Sequence, residues 1–202
     1  MNIFSQKNIN FTELTKALEE GQTFVYPTET CYGLGCDATN LEAVKKIFQI
    51  KQRREDKPCL ILFPSKEMVK EYVDWNETFE NLTKKHWPGA LTIVAPLKSG
   101  AFLPDFLLGQ GNTVAFRVSS HSFVKQLFEH YQKPIVSTSA NIAGAPNPYN
   151  IQTVRDSFQN EMYQPDILID AGELEPEPPS TIVTLEQNFL KILRQGKIII
   201  EH

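Results

Sequence analysis

An uninterrupted apolar run from Cys59 to Phe63 (CLILF) constrains the fold more than any other feature of the sequence. Five apolar residues without polar alternation are typical of a strand that is buried on both faces of a sheet. Pro58 and Pro64 bound the run, as expected for residues that cannot take part fully in a strand ladder. Strand and helix patterns follow one another along the rest of the chain, and the helices can cover the faces of the sheet. The sequence therefore predicts an α/β or α+β fold, with a twisted mixed sheet flanked by helices.

Helices are predicted where apolar residues recur every three or four positions behind a capping residue. The first two are expected to begin with capping boxes, formed by Asn10 with Glu13 and by Thr39 with Glu42. The stretch 27–39, which contains Gly33 and Gly35, is expected to be a loop. Helices are expected over 10–21, 40–51, 65–73, 77–86, 122–131 and 153–158. Strands are expected over 23–26, 59–63, 91–95, 113–118, 134–136, 167–170, 181–184, 189–193 and 197–200.

The composition is that of a globular protein, and a chain of 202 residues is expected to form a single domain over 1–202. A formal net charge of -4 argues against a protein whose main task is to grip nucleic acid. Cys31, Cys36 and Cys59 fit neither a CxxC motif nor a zinc knuckle, and reduced thiols are expected. Without a signal peptide or an apolar run near the roughly 20 residues of a membrane span, a cytoplasmic location is expected.

Positive charge is concentrated in residues 45–57, which carry six basic and two acidic residues in a chain of negative net charge. Lys51 and Arg53 are two positions apart, so both side chains can reach one anion if the segment is extended there. The alternative is a solvated helix end, because the helix dipole favours cations at that position.

Hydroxyl-rich segments follow two of the predicted strands. The segment 137–141 (STSAN) comes after a short apolar strand, and the carboxyl ends of strands are where open α/β sheets place ligands. The segment 26–35 (YPTETCYGLG) combines hydroxyls with glycines that permit close approach, but it is neither a Rossmann nor a P-loop fingerprint. Both segments can equally be structural turns. Arg117, inside a predicted strand, is either paired structurally or faces a ligand.

The stretch 172–179 is the compositionally unusual part of the chain. It combines three glutamates with three prolines, which excludes a helix or a central strand. A surface loop is predicted, and this loop is a candidate lid.

Taken together, six segments resemble the YrdC/TsaC family, the threonylcarbamoyl-adenylate synthases. They occur in the family's order and span nearly the whole chain. The matching segments are 26–35 (YPTETCYGLG), 51–53 (KQR), 87–92 (WPGALT), 115–118 (AFRV), 137–141 (STSAN) and 179–183 (PSTIV).

The resemblance implies an open α/β fold with a large, concave, positively charged cavity. It implies a nucleotidyltransferase that converts L-threonine, bicarbonate or CO2, and ATP into threonylcarbamoyl-AMP and pyrophosphate. The product would supply the threonylcarbamoyladenosine at position 37 of tRNA through partner proteins similar to TsaD, TsaB and TsaE, with weak or no direct tRNA binding. Mg²⁺ is expected to accompany ATP, without a dedicated protein metal site.

The resemblance also assigns roles to individual residues. The catalytic set is Lys51, Arg53, Ser139 and Asn141. The ATP contacts are expected from Arg53, Lys57, Thr113, Ser139, Asn147 and Arg194. Recognition of threonine is expected from Thr30, Arg117, Ser137 and Ser180.

Three residues depart from the family pattern. Arg54 stands where many relatives have proline, Lys57 replaces a common asparagine, and Leu62 occupies a place often held by histidine. Two other functions stay open. One is a non-catalytic RNA-binding or ribosome-maturation module that uses the basic residues of 45–57. The other, a carbamoyl-transferring domain of a hydrogenase-maturation protein, would need flanking domains.

Overall fold

The apolar run lies at the centre of one mixed sheet, as predicted. The computed structural model describes residues 1–54, 57–187 and 189–200, and over these residues ten strands form a single sheet. The strands are β1 (Asn2–Ser5), β2 (Phe24–Pro27), β3 (Tyr32–Gly35), β4 (Leu60–Leu62), β5 (Leu91–Pro96), β6 (Thr113–Arg117), β7 (Ile135–Ser139), β8 (Ile167–Asp170), β9 (Thr181–Glu186) and β10 (Phe189–Arg194). Their spatial order is β1-β8-β2-β3-β7-β4-β6-β5-β9-β10.

Parallel and antiparallel pairs alternate irregularly across the sheet. β4 pairs antiparallel with β7 and parallel with β6, and β2 pairs antiparallel with β3 and parallel with β8. The carboxyl ends of several strands therefore do not all point to the same edge, and a ligand site has to be located from side chains rather than from strand direction alone.

All six predicted helices are confirmed, with ends that differ by at most two residues. They are α1 (Phe11–Glu19), α2 (Leu41–Lys51), α3 (Lys66–Tyr72), α4 (Glu77–His86), α5 (Ser122–His130) and α6 (Ile151–Phe158). Among the residues that the structure describes, no helix is both long enough and apolar enough to cross a bilayer.

The strands bury side chains on both faces of the sheet. Within β4, Ile61 joins the larger core cluster, whereas Leu62 joins the cluster that contains residues of α1 and α5. Within β2, Val25 points to the first cluster and Phe24 and Tyr26 to the second. Because successive side chains of a strand point to opposite faces, this division places a helical layer on each side.

Asn10 and Ser65 are helix N-caps, as their sequences predict. The Asn10 side chain accepts hydrogen bonds from the backbone of Thr12 and Glu13, and Ser65 accepts one from Met68. The predicted capping box of Thr39 with Glu42 is wrong. Asn40 caps α2 by accepting a hydrogen bond from the Ala43 N–H, while Thr39 donates its backbone N–H and its hydroxyl to Asp37.

The prediction of a loop throughout 27–39 is also wrong, because residues 32–35 form β3 between β2 and β7. Gly33 and Gly35, which favoured a loop, are there for a different reason. A Cβ atom on Gly35 would lie far inside van der Waals contact of the Val136 carbonyl oxygen, and 3.1 Å from the ring of Tyr26. The glycines allow neighbouring backbone and aromatic rings to approach closely.

Replacing Gly35 with alanine is expected to lower the free energy of unfolding by about 3 kcal/mol, because a methyl group there has to displace the β7 backbone. Gly100 is the matched control, since a Cβ on it meets nothing within 4 Å and only its φ of +87° is unfavourable. Gly100→Ala is expected to cost about 1 kcal/mol. Urea unfolding measures both, and equal losses would contradict the close approach at Gly35.

Two segments near the ends of the sequence differ from the prediction. β1 was not predicted, since its four side chains are exposed and carry no alternating pattern, yet it pairs in parallel with β8. The predicted strand 197–200 is wrong. There the backbone of Ile198 exchanges two hydrogen bonds with the Thr181 hydroxyl, so a side chain replaces a strand ladder.

Candidate active site

A cleft of about 300 Å³ lies over β3, β7, β4 and β6. Gly33 pairs with Ser139, and Leu60 pairs with both Ser137 and Ala115, so mostly short side chains stand next to one another across these strands. The volume is at the lower end of the range of ligand pockets, about 300 to 1,000 Å³, and the large cavity implied by the resemblance stays a prediction. The described lining residues are Thr28, Thr30, Cys31, Gly33, Arg53, Pro58, Cys59, Leu60, Thr92, Ala115, Arg117, Ser137, Thr138, Ser139, Asn147, Pro179, Ser180, Ile182 and Arg194.

The cleft has an excess of positive charge. Among the described lining residues, Arg53, Arg117 and Arg194 are cationic and none is a carboxylate. Hydroxyl groups supply most of the remaining polar atoms. An arrangement of guanidinium and hydroxyl donors without an acidic side chain suits an anionic ligand.

Eight of the twelve predicted site residues line this cleft, although they come from segments far apart in the sequence. They are Thr30, Arg53, Arg117, Ser137, Ser139, Asn147, Ser180 and Arg194. The other four, Lys51, Lys57, Thr113 and Asn141, are near it but do not form its wall. The ligand assigned to each of the twelve stays a prediction.

Lys51 lies behind the wall of the cleft and is only 1% exposed. Its ammonium group donates to the carbonyl oxygen of Ser139 (2.6 Å) and to the carbonyl and side-chain oxygens of Asn141 (2.9 and 3.0 Å). These three acceptors use all three of its N–H donors. Burial lowers the pKa of Lys51 to about 8. Lys51 therefore fixes the backbone of the hydroxyl-rich segment rather than presenting its charge to the open cleft.

Asn141 completes the same network. Its Oδ1 accepts from the Ser139 hydroxyl at 2.7 Å, and its Nδ2 donates to the carbonyls of Ala145 and Pro146. The Ser139 hydroxyl is thereby held at the cleft wall while Asn141 stays buried.

Arg53 and Lys51 do not extend side by side toward one anion. Gln52 between them is in the left-handed conformation (φ 50°, ψ 42°) and ends α2, so the segment is not extended there. Arg53 reaches the cleft and donates to the carbonyl oxygens of Lys57 (2.6 Å) and Pro58 (3.0 Å). Lys57 contributes this carbonyl while its side chain is exposed.

Thr113 and Leu62 lie outside the cleft. Thr113 donates its hydroxyl to the Gln110 carbonyl at the start of β6, two residues before Ala115, which does line the cleft. Leu62, where relatives often have histidine, is fully buried in the core cluster beneath α1 and α5.

Arg117 is held by an acidic residue to which the sequence analysis gave no role. The guanidinium of Arg117 donates to Glu29 (3.2 Å), and both side chains are largely buried, with 3% and 12% exposed. Burial alone would raise the pKa of Glu29, but Arg117 and hydrogen bonds from Ser119 and Ser120 outweigh it and lower the pKa to about 2. Glu29 is the single charged residue in 23–36, and that isolation is the sequence signal that would have identified it.

Ser180 and Arg194 form the far side of the cleft. Arg194 donates from Nε and Nη2 to the Ser180 carbonyl and from Nη2 to the Ser180 hydroxyl. The Ser180 hydroxyl also shares a hydrogen bond of 2.8 Å with Thr92. Thr92, from the matching segment 87–92, is a lining residue that the sequence analysis did not select.

The candidate lid 172–179 has no regular secondary structure, as predicted. It is tied at its start by the Tyr32 hydroxyl, which donates to the Gly172 carbonyl, and near its end by an ion pair of 3.0 Å between Glu177 and Lys197. Pro179, its last residue, borders the cleft. Closure over a ligand stays a prediction.

The three cysteines are free thiols in the structure, and Cys31 and Cys59 line the cleft. Burial raises the pKa of both thiols. Over residues 1–54, 57–187 and 189–200, no group of three or more histidine, cysteine, aspartate or glutamate side chains is placed to hold a metal ion.

The sequence matches a protein-family model over most of its length. The model is Sua5_yciO_yrdC, with the description Telomere recombination, and it matches residues 16–196. The chain belongs to the Sua5/YciO/YrdC family. All the residues that line the cleft lie within the matched range.

Relatives within the Sua5/YciO/YrdC family include proteins of similar and of greater length. A threonylcarbamoyl-AMP synthase of Vibrio campbellii is 33% identical over 93% of this chain and 99% of its own length. A threonylcarbamoyl-AMP synthase of Pyrococcus abyssi is 35% identical over 91% of this chain, which spans only 53% of that relative. A solved structure of P. abyssi Sua5 complexed with L-threonine superposes with a TM-score of 0.85 at 33% identity, covering 97% of this chain and 58% of that one.

Proposed function

We propose that this chain is a threonylcarbamoyl-AMP synthase that joins L-threonine, CO2 from bicarbonate, and ATP. The observation that carries the proposal is the cleft itself, whose described lining combines three arginines with hydroxyl donors and contains no carboxylate. Membership of the Sua5/YciO/YrdC family and the names of its relatives support it. The proposed enzyme class is nucleotidyltransferase, in a single domain over 1–202 with a cytoplasmic location.

The proposed reaction brings two anions together. The amine of threonine attacks CO2 and loses a proton, which gives an N-carboxylate. One oxygen of this carbamate then attacks the α-phosphorus of ATP, and the bond from that phosphorus to the bridging oxygen breaks as pyrophosphate leaves. Guanidinium groups lower the repulsion between carbamate and phosphates, and fixed donors stabilise the charge that develops on the leaving group.

The described residues divide into two proposed groups. Arg117, together with Thr30, Ser137 and Ser180, would hold threonine, since a guanidinium grips a carboxylate with two parallel hydrogen bonds. Arg117 lines the cleft while its Nη2 atom donates to Glu29, and this arrangement supports the role. Arg53, Ser139, Asn147 and Arg194 would face the nucleotide.

Lys51 and Asn141 would act from behind the wall by keeping Ser139 in place. Lys57 and Thr113 remain proposed ATP contacts, which requires their side chains to reach a ligand at the mouth of the cleft. Mg²⁺ would arrive with the ATP phosphates and offset their charge. The product would pass to TsaD/TsaB/TsaE-like proteins that modify tRNA.

Within the described part of 45–57, three of the basic residues are already engaged. Lys51 is buried, Lys46 is paired with Asp166 at 2.6 Å, and Lys45 is paired with Glu42 at 2.9 Å. These contacts weigh against the alternative of an RNA-binding module that uses these lysines to neutralise phosphates.

Pyrophosphate release by the purified chain is expected to require ATP, threonine and bicarbonate together. Ser139→Ala is expected to lower the rate by roughly 10- to 100-fold, because it removes a hydroxyl from the cleft wall together with its hydrogen bond to Asn141. Ser157→Ala is the matched control, since Ser157 only donates to the Thr153 carbonyl on the exposed face of α6. Release that proceeds at the same rate without threonine would overturn the proposed function.

A further inference from the structure

Glu29 accepts hydrogen bonds from several groups in addition to its ion-pair partner Arg117. Its Oε2 accepts from the guanidinium of Arg117 at 3.2 Å. Its Oε1 accepts from the Ser119 hydroxyl at 2.6 Å, from the Ser120 backbone and hydroxyl, and from the His121 backbone. Each oxygen thus has its own partner, and the carboxylate cannot rotate without breaking several bonds at once.

These contacts join three elements at one carboxylate. Glu29 lies in the turn between β2 and β3, Arg117 ends β6, and residues 119–121 lead into α5, whose N-cap is His121. The positive end of the α5 dipole and the backbone N–H groups of Ser120 and His121 favour a negative charge here. Glu29 is therefore held firmly from the α5 side.

Arg117 depends on Glu29 for its orientation. Among the described residues, Glu29 supplies the hydrogen bond and the ion pair that hold its guanidinium. The Nε atom of Arg117 is buried without a partner, although Arg117 lines the cleft. The part of the guanidinium that borders the cleft can meet a ligand carboxylate there, in an orientation that Glu29 sets.

We infer that Glu29 is a positioning residue, which fixes Arg117 so that its guanidinium faces the carboxylate of the amino-acid substrate. The inference rests on the proposed function. Glu29 is not among the lining residues and acts through Arg117, so it affects the affinity for threonine rather than the chemical step.

The test compares Glu29→Gln with Glu80→Gln in binding and kinetics. Glutamine keeps the shape of Glu29 but loses the charge that orients Arg117. Glu80 is a matched control on α4, because it also accepts several hydrogen bonds, from Lys66 and Trp75, and pairs with Lys70. Calorimetry with L-threonine alone measures binding, and pyrophosphate release measures KM for threonine, KM for ATP and kcat.

Glu29→Gln is expected to weaken threonine binding and raise KM for threonine at least about 10-fold. KM for ATP and kcat at saturating threonine are expected to stay within about threefold, and Glu80→Gln is expected to match the wild type in all values. A general distortion would instead change both KM values and kcat together, which would overturn the inference. Unchanged threonine binding in Glu29→Gln would also overturn it.

Ser119→Ala provides a second variant if Glu29→Gln does not fold. It removes one donor to Glu29 and keeps the charge, so a rise of about threefold in KM for threonine is expected, and no rise would contradict the inference. Binding by the wild type and by the variant tests the proposed function and the positioning role separately. A wild-type chain that does not bind threonine refutes the proposed function itself, whereas a wild type that binds and a Glu29→Gln variant that binds equally refutes only the positioning role.

Discussion

Lys51→Met is expected to lower the rate of pyrophosphate release by roughly 10²- to 10³-fold, although Lys51 does not line the cleft. Methionine retains the apolar stem but removes the ammonium group from three acceptors on Ser139 and Asn141. The Asn141 carbonyl loses this donor, whereas the Ser139 carbonyl and Asn141 Oδ1 each keep a second, weaker neutral donor. The Ser139 hydroxyl then loses its fixed position, and small displacements of positioned groups have large effects on rate. The measurement is kcat at saturating substrates.

Lys46→Met is the matched control for this prediction. Lys46 lies on the same helix, α2, and is also engaged, with both carboxylate oxygens of Asp166 within 2.7 Å. Its partner is away from the cleft, so kcat and both KM values are expected to stay within about twofold of the wild type. Similar rate losses in the two variants would show that α2 as a whole, and not the Lys51 network, is responsible.

The stability effect of Lys51 has a predicted pH dependence. In the folded protein the pKa of Lys51 is lowered to about 8, whereas its ordinary value is 10.5. Between these values the unfolded chain binds a proton that the folded protein has released, so the free energy of unfolding of the wild type rises with pH. Relative to Lys51→Met, the gain from pH 8 to 10.5 is expected to be about 2 to 3 kcal/mol. Denaturant titrations of both proteins measure it, and a constant difference would contradict it.

Arg117→Met is expected to abolish measurable threonine binding and to lower the free energy of unfolding by about 3 to 5 kcal/mol. The stability loss arises because Glu29 is left as a buried carboxylate without its cation, while Ser119, Ser120 and His121 still hold it in place. Calorimetry with L-threonine and urea unfolding measure the two effects separately.

The double variant Arg117→Met with Glu29→Gln separates stability from binding. Removing both charges leaves no unpaired buried ion, so most of the lost stability is expected to return. Threonine binding is expected to remain absent, since the guanidinium that is proposed to bind its carboxylate is missing. A double variant that binds threonine would show that Arg117 is a structural cation and not a ligand group.

Patterns within single segments were sufficient to predict much of the fold. The apolar run 59–63 predicted a central strand, and β4 lies between β7 and β6 in the middle of the sheet. Helical periodicity predicted all six helices, because one face of each has to be buried. The hydroxyl-rich segment 137–141 was predicted to follow a strand that ends at residue 136. Ser137 and Ser139 instead lie within β7, and they line the cleft from there.

Two strands could not be predicted from the sequence, because they depend on contacts between distant segments. Glycines at 33 and 35 looked like a loop, but the approach of Val136 and Tyr26 requires them inside a strand. β1 has no pattern of its own and exists through backbone pairing with β8.

The order of six motifs in the sequence was enough to predict which residues bear the chemistry, through the family resemblance, and the composition of 137–141 agreed because clustered hydroxyl side chains have to meet a partner. Only the tertiary structure decided where each of them stands. It placed Arg53 at the cleft and Lys51 behind it, since the left-handed Gln52 turns the chain between them. It also joined Glu29 to Arg117 across 88 positions, a pairing set by the register of strands and not by local spacing.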